Sequence, residues 1–427
     1  MKALLLFLVL FLISISGNTQ TKSKMQPDSL PAPYATRSVI NFSKVIGWKD
    51  KTPKVPQGFV VEKYADGFEN PRWMYITATG DLLVAESNSN YTFFKKVGGF
   101  ILGASKSNNL SHSADRITLL RDTNKDGIPD QRETLLIGLN QPLGILLIDE
   151  WLYVGNTDAL VRYPYKTGQN RITDPPEKIV DLPAGKHNRH WARNIITNSD
   201  NSKIYISVGS GSNVAENGIA NELLRGAILE INPDGSDLRI YASGLRNPMG
   251  MGWAPGTTTL WTVVNERDEL GDELVPDYFT SVIQGGFYGW PYSYMGQNID
   301  PRVKELKTAL VKKTIVPDVI LGNHTATIGL AFYTGNSFPE KYKGGAFLTQ
   351  HGSWNRSVLA GYKVIFIPFK NGKPSGQAED FMTGFISNLE KKEVHGRPVG
   401  IVVMPDGSLL VADDVSNTVW RVSTIKK

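Results

Sequence analysis

Residues 397–413 read RPVGIVVMPDGSLLVAD. The stretch is two short β-rich runs joined by Pro405, Asp406 and Gly407, and Asp-Gly between apolar runs is a strong hairpin signal. Each run is too short for a helix and lacks its 3.6-residue apolar period. The same grammar recurs at residues 71–86 (PRWMYITATGDLLVAE), 141–156 (QPLGILLIDEWLYVGN) and 193–209 (RNIITNSDNSKIYISVG). It returns at residues 247–265 (NPMGMGWAPGTTTLWTVVN) and 327–350 (TIGLAFYTGNSFPEKYKGGAFLTQ), which makes six units. Further short strands follow the units, at 116–120, 159–165, 227–232, 363–368 and 418–423. Repeated multi-stranded units predict an all-β fold, a six-bladed β-propeller over residues 46–427, with two packed sandwiches as the alternative. Closing the ring removes exposed sheet edges, so the last unit is expected to take a strand from residues 59–64. Long insertions before Gln141 and between Asn265 and Thr327 predict loops that build a site on one face.

Composition agrees with a turn-rich globular chain: 427 residues, 41% hydrophobic, with 41 Gly and 24 Pro. A net charge of +5, from 46 basic and 41 acidic residues, is a mild imbalance that argues against a nucleic-acid partner. Met1 and Lys2 precede the apolar run ALLLFLVLFLISI, which predicts a secretory signal over residues 1–20 and a tether over 21–45. Export to the periplasm or medium follows, with no stable membrane span after cleavage. The absence of cysteine excludes disulfides, a thiol nucleophile and a c-type haem attachment site. Any electrons the protein handles must pass to an external acceptor.

Three clusters carry chemistry. Residues 122–133, DTNKDGIPDQRE, place Asp122, Asn124, Asp126, Asp130 and Glu133 in the calcium-loop pattern, with Gly127 at the sharp turn and the Ile128 carbonyl as a further oxygen. A polar turn is the plainer reading, and without flanking helices a calcium ion here staples a loop. Residues 185–194, GKHNRHWARN, hold His187, His190 and Arg193 just before a strand, and a histidine titrates near neutral pH as a general base requires. The third cluster is LRNPMG at 245–250, NERDELGDEL at 265–274 and GGFYGWPY at 285–292.

These last motifs, with HWARN, QHGSWNR and HGRPVGIVVMPDGSLLVAD, resemble the glucose/sorbosone dehydrogenase family of soluble quinoproteins, six-bladed propellers that bind pyrroloquinoline quinone (PQQ) and Ca2+. The resemblance runs from about Gly58 to Val422 and lies nearer the sorbosone-type branch. It implies oxidation of an aldose or a sugar-derived aldehyde by hydride transfer to the quinone. His190 is then the general base, with His187 as second candidate, and Arg246 polarises the quinone carbonyl. Asn247, Arg193, Arg397 and His395 are implied cofactor contacts, Arg356 replaces a lysine of the glucose branch, and Gln141 or Asn140 lies under the cofactor. The backbone at Arg267 and Asp268 is implied to hold the cofactor calcium, with Asp272 behind it. A tricarboxylate cofactor needs converging cations, and Arg246, Arg356 and Arg397 are expected at equivalent places in three units. A calcium-dependent lactonase and a non-catalytic sugar-binding propeller remain as rivals.

Overall fold

A computed structural model of the chain describes residues 30–90, 99, 103–107, 110–304 and 307–425. The expected signal segment 1–20 and the first part of the expected tether lie outside the described residues.

Among the described residues, six four-stranded antiparallel sheets account for the body of the chain, five of them simple meanders. The first comprises Pro71–Ile76, Leu82–Glu86, Arg116–Arg121 and Gln131–Leu136, and the second Ile145–Ile148, Trp151–Gly155, Ala159–Pro164 and Glu177–Asp181. The third runs from Ile195–Thr197 through Ile204–Val208 and Ala227–Ile231 to Arg239–Ser243. The fourth comprises Pro248–Trp253, Leu260–Val264, Pro276–Ser281 and Val319–Asn323, and the fifth Thr327–Phe332, Ala346–Gln350, Lys363–Ile367 and Glu379–Met382. In the sixth, Pro398–Val403, Leu409–Asp413 and Thr418–Thr424 are completed by Phe59–Ala65, which pairs antiparallel with Thr418–Thr424. The chain thus supplies the closing strand from its N-terminal side, as the edge argument requires.

The first strand of each sheet packs against the first strand of the next, and the sixth returns to the first, so the contacts form a closed cycle. Backbones approach closely along this cycle. A Cβ on Gly144 would lie 2.5 Å from the Ile195 nitrogen, on Gly250 2.7 Å from that of Leu330, on Gly329 2.3 Å from the Val399 oxygen, and on Gly400 2.7 Å from the Arg72 oxygen. Only glycine permits such contact at these crossings. Second strands lie between neighbouring sheets and are buried on both faces: every residue of Leu82–Glu86, Ile204–Val208, Leu260–Val264, Ala346–Gln350 and Leu409–Asp413 is buried. That explains their continuous apolar runs, since alternation appears only where one face meets water. Fourth strands such as Glu177–Asp181 are largely exposed and polar.

The first strands are also irregular where they begin. Register shifts fall at Pro71/Trp73, Pro248/Met251, Thr327/Gly329 and Pro398/Ile401. Bulges of this kind turn side chains away from the ladder, often toward a site. Residues 34–45, expected as tether, are bound to the body: Asn41 donates its side-chain N–H groups to the carbonyls of Arg356 (2.7 Å) and Ser357 (3.0 Å), and Lys44–Val45 pairs in parallel with Glu393–Val394. Among the described residues no helix is long and apolar enough to cross a membrane.

Candidate active site

A cavity of about 1320 Å³ opens where first strands begin and second strands end, lined by residues on or beside the strands of all six sheets. Arg72, Met249 and Ile328, carried on three of the bulges, line it. So do residues that follow second strands, among them Asn88, Thr157, Gly211, Asn265 and His351.

His190 stands in this wall, its backbone N–H bonded to the Ser210 carbonyl and its Nδ1 2.9 Å from the same oxygen and 3.0 Å from Ser210 Oγ. A carbonyl only accepts, so Nδ1 carries the proton and Nε2 keeps its lone pair. Burial, and then the neighbouring Arg246 and Arg189, hold the imidazole well below its ordinary pKa, so the ring is neutral at neutral pH.

Two carboxylates organise the cations. Asp268 Oδ2 accepts from Arg246 Nη2 (2.8 Å) and Arg189 Nη2 (3.0 Å), and Asn355 Nδ2 donates to its Oδ1 at 2.5 Å. Burial alone would raise this carboxyl, but the two arginines outweigh it and hold it far below the usual carboxylate range. Asp414 accepts from Arg72 Nη1 (3.2 Å) and from His351 Nε2 (3.0 Å); burial again opposes ionisation, and His351, Arg72 and Arg397 overcome it. His351 itself is pushed down to about 4, by burial first and Arg397 second. A third group behaves oppositely. Glu266, 4% exposed, is raised to about 7 by burial that Arg246 only partly offsets, and Asp277, whose Oδ1 accepts from the Glu266 N–H at 2.9 Å, is raised by burial as well. The wall carries five basic residues (Arg72, Lys186, Arg189, Arg246, Arg397) against five acidic ones (Asp158, Glu216, Glu266, Asp268, Asp277). Because burial raises both Glu266 and Asp277, the balance of this wall leans toward positive charge.

Of the residues singled out in the sequence, Asn140, Gln141, His187, His190, Arg246, Asn247, Asp268 and Arg397 line this cavity. Gln141 donates Nε2–H to the Asn88 carbonyl at 2.8 Å, and buried Asn247 Oδ1 has no hydrogen-bond partner among the described residues. Arg193 does not face the cavity: its Nη atoms bond the carbonyls of Pro183, His190 and Ala192 and the Asn188 side chain, which braces the loop that carries His190. Arg267 is buried against Asp300 at 2.8 Å. Arg356 pairs with Glu273 outside the wall, so the expected equivalence of Arg246, Arg356 and Arg397 fails; Arg356 follows a second strand, whereas the other two precede first strands. His395 bonds the Gly47 carbonyl (2.7 Å) and stacks on Trp48. Asp272 accepts from the Ser357 N–H at 3.1 Å. The Asp268 carbonyl accepts from Arg267 Nη2 (2.8 Å) and Asn213 Nδ2 (3.0 Å), while the buried Asp272 Oδ1 has no hydrogen-bond partner among the described residues.

The 122–133 loop lies apart from the cavity. Asp122 accepts from the Gly127 N–H (2.7 Å), Asp126 from that of Ile128 (2.8 Å) and Asp130 from Thr123, while Glu133 sits on a strand with its side chain exposed. Among the described residues no group of three or more His, Asp or Glu side chains forms a metal-holding cluster. Sequence reasoning missed Arg72, Arg189, Glu266 and Asp277. Arg72 was legible, since it stands at the start of its unit as Arg397 does in the sixth, and Arg189 adjoins His190.

Similarity to known proteins agrees with this geometry. The fold is that of solved sugar dehydrogenases: the PQQ domain of pyranose dehydrogenase from Coprinopsis cinerea superposes with a TM-score of 0.70 at 18% identity, covering 90% of this chain and 100% of that one. The PQQ-bound aldose sugar dehydrogenase of Streptomyces coelicolor gives 0.56 at 15%, covering 87% and 100%. In sequence, the aldose sugar dehydrogenase YliI of Escherichia coli (strain K12) is 27% identical over 197 residues, 40% of this chain and 50% of that protein. An uncharacterized protein of Borreliella burgdorferi is 28% identical over 385 residues, 87% of this chain and 90% of its own length. Residues 50–421 match the model of a domain of unknown function, DUF7133, and the chain belongs to that family.

Proposed function

We propose that the chain is a PQQ-dependent dehydrogenase of aldoses or sugar-derived aldehydes, built as a six-bladed β-propeller with its site at the hub. The cyclic contact of first strands supports the propeller, and the described activities of its relatives support the chemistry. The observation that carries the reading is the pairing of a neutral, tautomer-fixed histidine with an arginine-rich cavity wall. Asp268 is shared by Arg189 and Arg246, while Asp414 accepts from Arg72 and feels the charge of Arg397, which gathers four arginines at the wall. The arginine donors of the wall fit an anionic, oxygen-rich ring.

When bound, the quinone supplies a two-electron hydride acceptor. The chain's part is to hold the substrate and take a proton. Asn140 and Asn217 stand in the cavity wall with amide groups of the kind that suits sugar hydroxyls. The hydroxyl proton of the substrate passes to His190 Nε2, while Ser210 fixes the ring through Nδ1. Electrons leave to an external acceptor. The calcium implied at Arg267, Asp268 and Asp272 would meet a buried Asp272 Oδ1 that has no hydrogen-bond partner among the described residues but an Asp268 carbonyl already engaged by two donors, and no step is assigned to it. The 122–133 loop keeps carboxylate lone pairs beyond those engaged by its own N–H groups, and it is the calcium site proposed, with a stabilising role. Export through residues 1–20 is part of the same reading.

His190→Ala tests the base: turnover is expected to fall to background while quinone binding persists. Unchanged turnover would transfer the role to His187.

A further inference from the structure

Arginine offers five N–H donors, so its hydrogen bonds can be accounted for one by one. Arg246 engages all five with protein acceptors: Nε with the Asn213 carbonyl (3.3 Å), Nη1 with the carbonyls of Asn265 (3.3 Å) and Glu266 (2.6 Å), and Nη2 with Asn213 Oδ1 and Asp268 Oδ2 (both 2.8 Å). It is also 2% exposed. No N–H remains on it for a ligand, which leaves it a structural and electrostatic part.

Arg189 differs. Among the described residues its one side-chain hydrogen bond runs from Nη2 to Asp268 at 3.0 Å and its remaining N–H groups meet no protein acceptor, although Glu216 in the same wall feels its charge. The side chain is 34% exposed, lies in the cavity wall, and places its guanidinium carbon 5.9 Å from the centre of the Trp354 ring. Its backbone N–H bonds the Gly211 carbonyl (3.1 Å) and that of His190 the Ser210 carbonyl (3.3 Å), so the two side chains are carried by one pinned segment. Asp268 fixes one edge of the guanidinium and leaves the rest of the fork for an oxygen acceptor.

We propose that Arg189, and not Arg246, donates the hydrogen bonds that anchor an oxygen of the bound anionic quinone beside His190. This rests on the functional reading above. The test is a calorimetric titration of the full chain with PQQ and Ca2+, for the wild type, R189Q, R189K and R246K, with melting curves for each. R189Q is expected to weaken binding roughly 10- to 100-fold, the range of a lost hydrogen bond to a charged group. Its melting temperature should hold, because Asp268 retains Arg246 and Asn355. R189K keeps the charge and loses the fork, so its affinity should fall between the two, while R246K should melt earlier. R189Q titrating with wild-type affinity overturns the inference alone. A wild type that binds no quinone removes the functional reading and this inference with it. If R189Q does not fold, R189K decides: weaker binding supports the assignment, and unchanged binding overturns it.

Discussion

Glu266→Gln should make the protein more stable, and more so the higher the pH. The carboxyl is 4% exposed and its pKa is raised from 4.5 to about 7, chiefly by burial. In the unfolded chain it ionises near the ordinary value, whereas in the folded protein it keeps its proton up to about 7. Below the lower value both states are protonated and the group contributes nothing. Between the two, the folded state binds more protons, so stability falls as pH rises, and above about 7 the full penalty is present. At about 1.4 kcal/mol per unit, the penalty is about 3 kcal/mol. Glutamine is nearly isosteric, accepts the Arg267 N–H as the glutamate does at 3.0 Å, and does not titrate. Loss of the charge also removes the repulsion from Asp277 that helps raise Glu266, which acts in the same direction. Urea unfolding of both proteins at about pH 5 and about pH 8 reads the effect as a difference that widens with pH. A constant difference, or a glutamine variant that is less stable at the higher pH, would refute the assignment of Glu266 as a buried, proton-retaining acid.

Three further outcomes follow from the same structure. The acid limb of kcat/KM should lie below 6.5, because burial, Arg246 and Arg189 lower the His190 pKa; a limb above that value would mean that another group controls it. Asp126→Ala, or chelation of the wild type, should lower the thermal midpoint far more than it lowers turnover at low temperature, and identical melting curves with and without chelator would exclude a stabilising calcium at residues 122–133. Gly329→Ala should destabilise by about 1–3 kcal/mol, since its Cβ would meet the Val399 oxygen at 2.3 Å and force apart the fifth and sixth sheets. Its unfolding midpoint measures this directly.

The strands were legible because each unit carries its own turn and its own apolar run. Thr418–Thr424 and its closing partner Phe59–Ala65 follow from that grammar and from the need to cover an edge. The glycines at 144, 250, 329 and 400 were visible as a recurrence, but their reason appears only when neighbouring first strands meet. In the site, His190 and Arg397 were implied by the family resemblance of HWARN and HGRPVG, and their place just before first strands is where a ring brings its residues together. Arg356 was misplaced because charge alone does not say which way a side chain points, and Glu273 was close enough to claim it. Arg246 was placed correctly, yet its saturation by Asn213, Asn265, Glu266 and Asp268 depends on loops from two different sheets that no local pattern relates.

The central claim is that the cavity carries an anionic quinone and oxidises a sugar with it. Dye-linked oxidation by the purified chain, with a panel of aldoses and aldehydes, tests it most directly when run with PQQ and Ca2+ together, with each alone and with neither. The account predicts dye reduction that depends on added quinone, requires a sugar or sugar aldehyde and disappears in His190→Ala. No reduction under any of these conditions, or hydrolysis of a lactone without quinone, would contradict it.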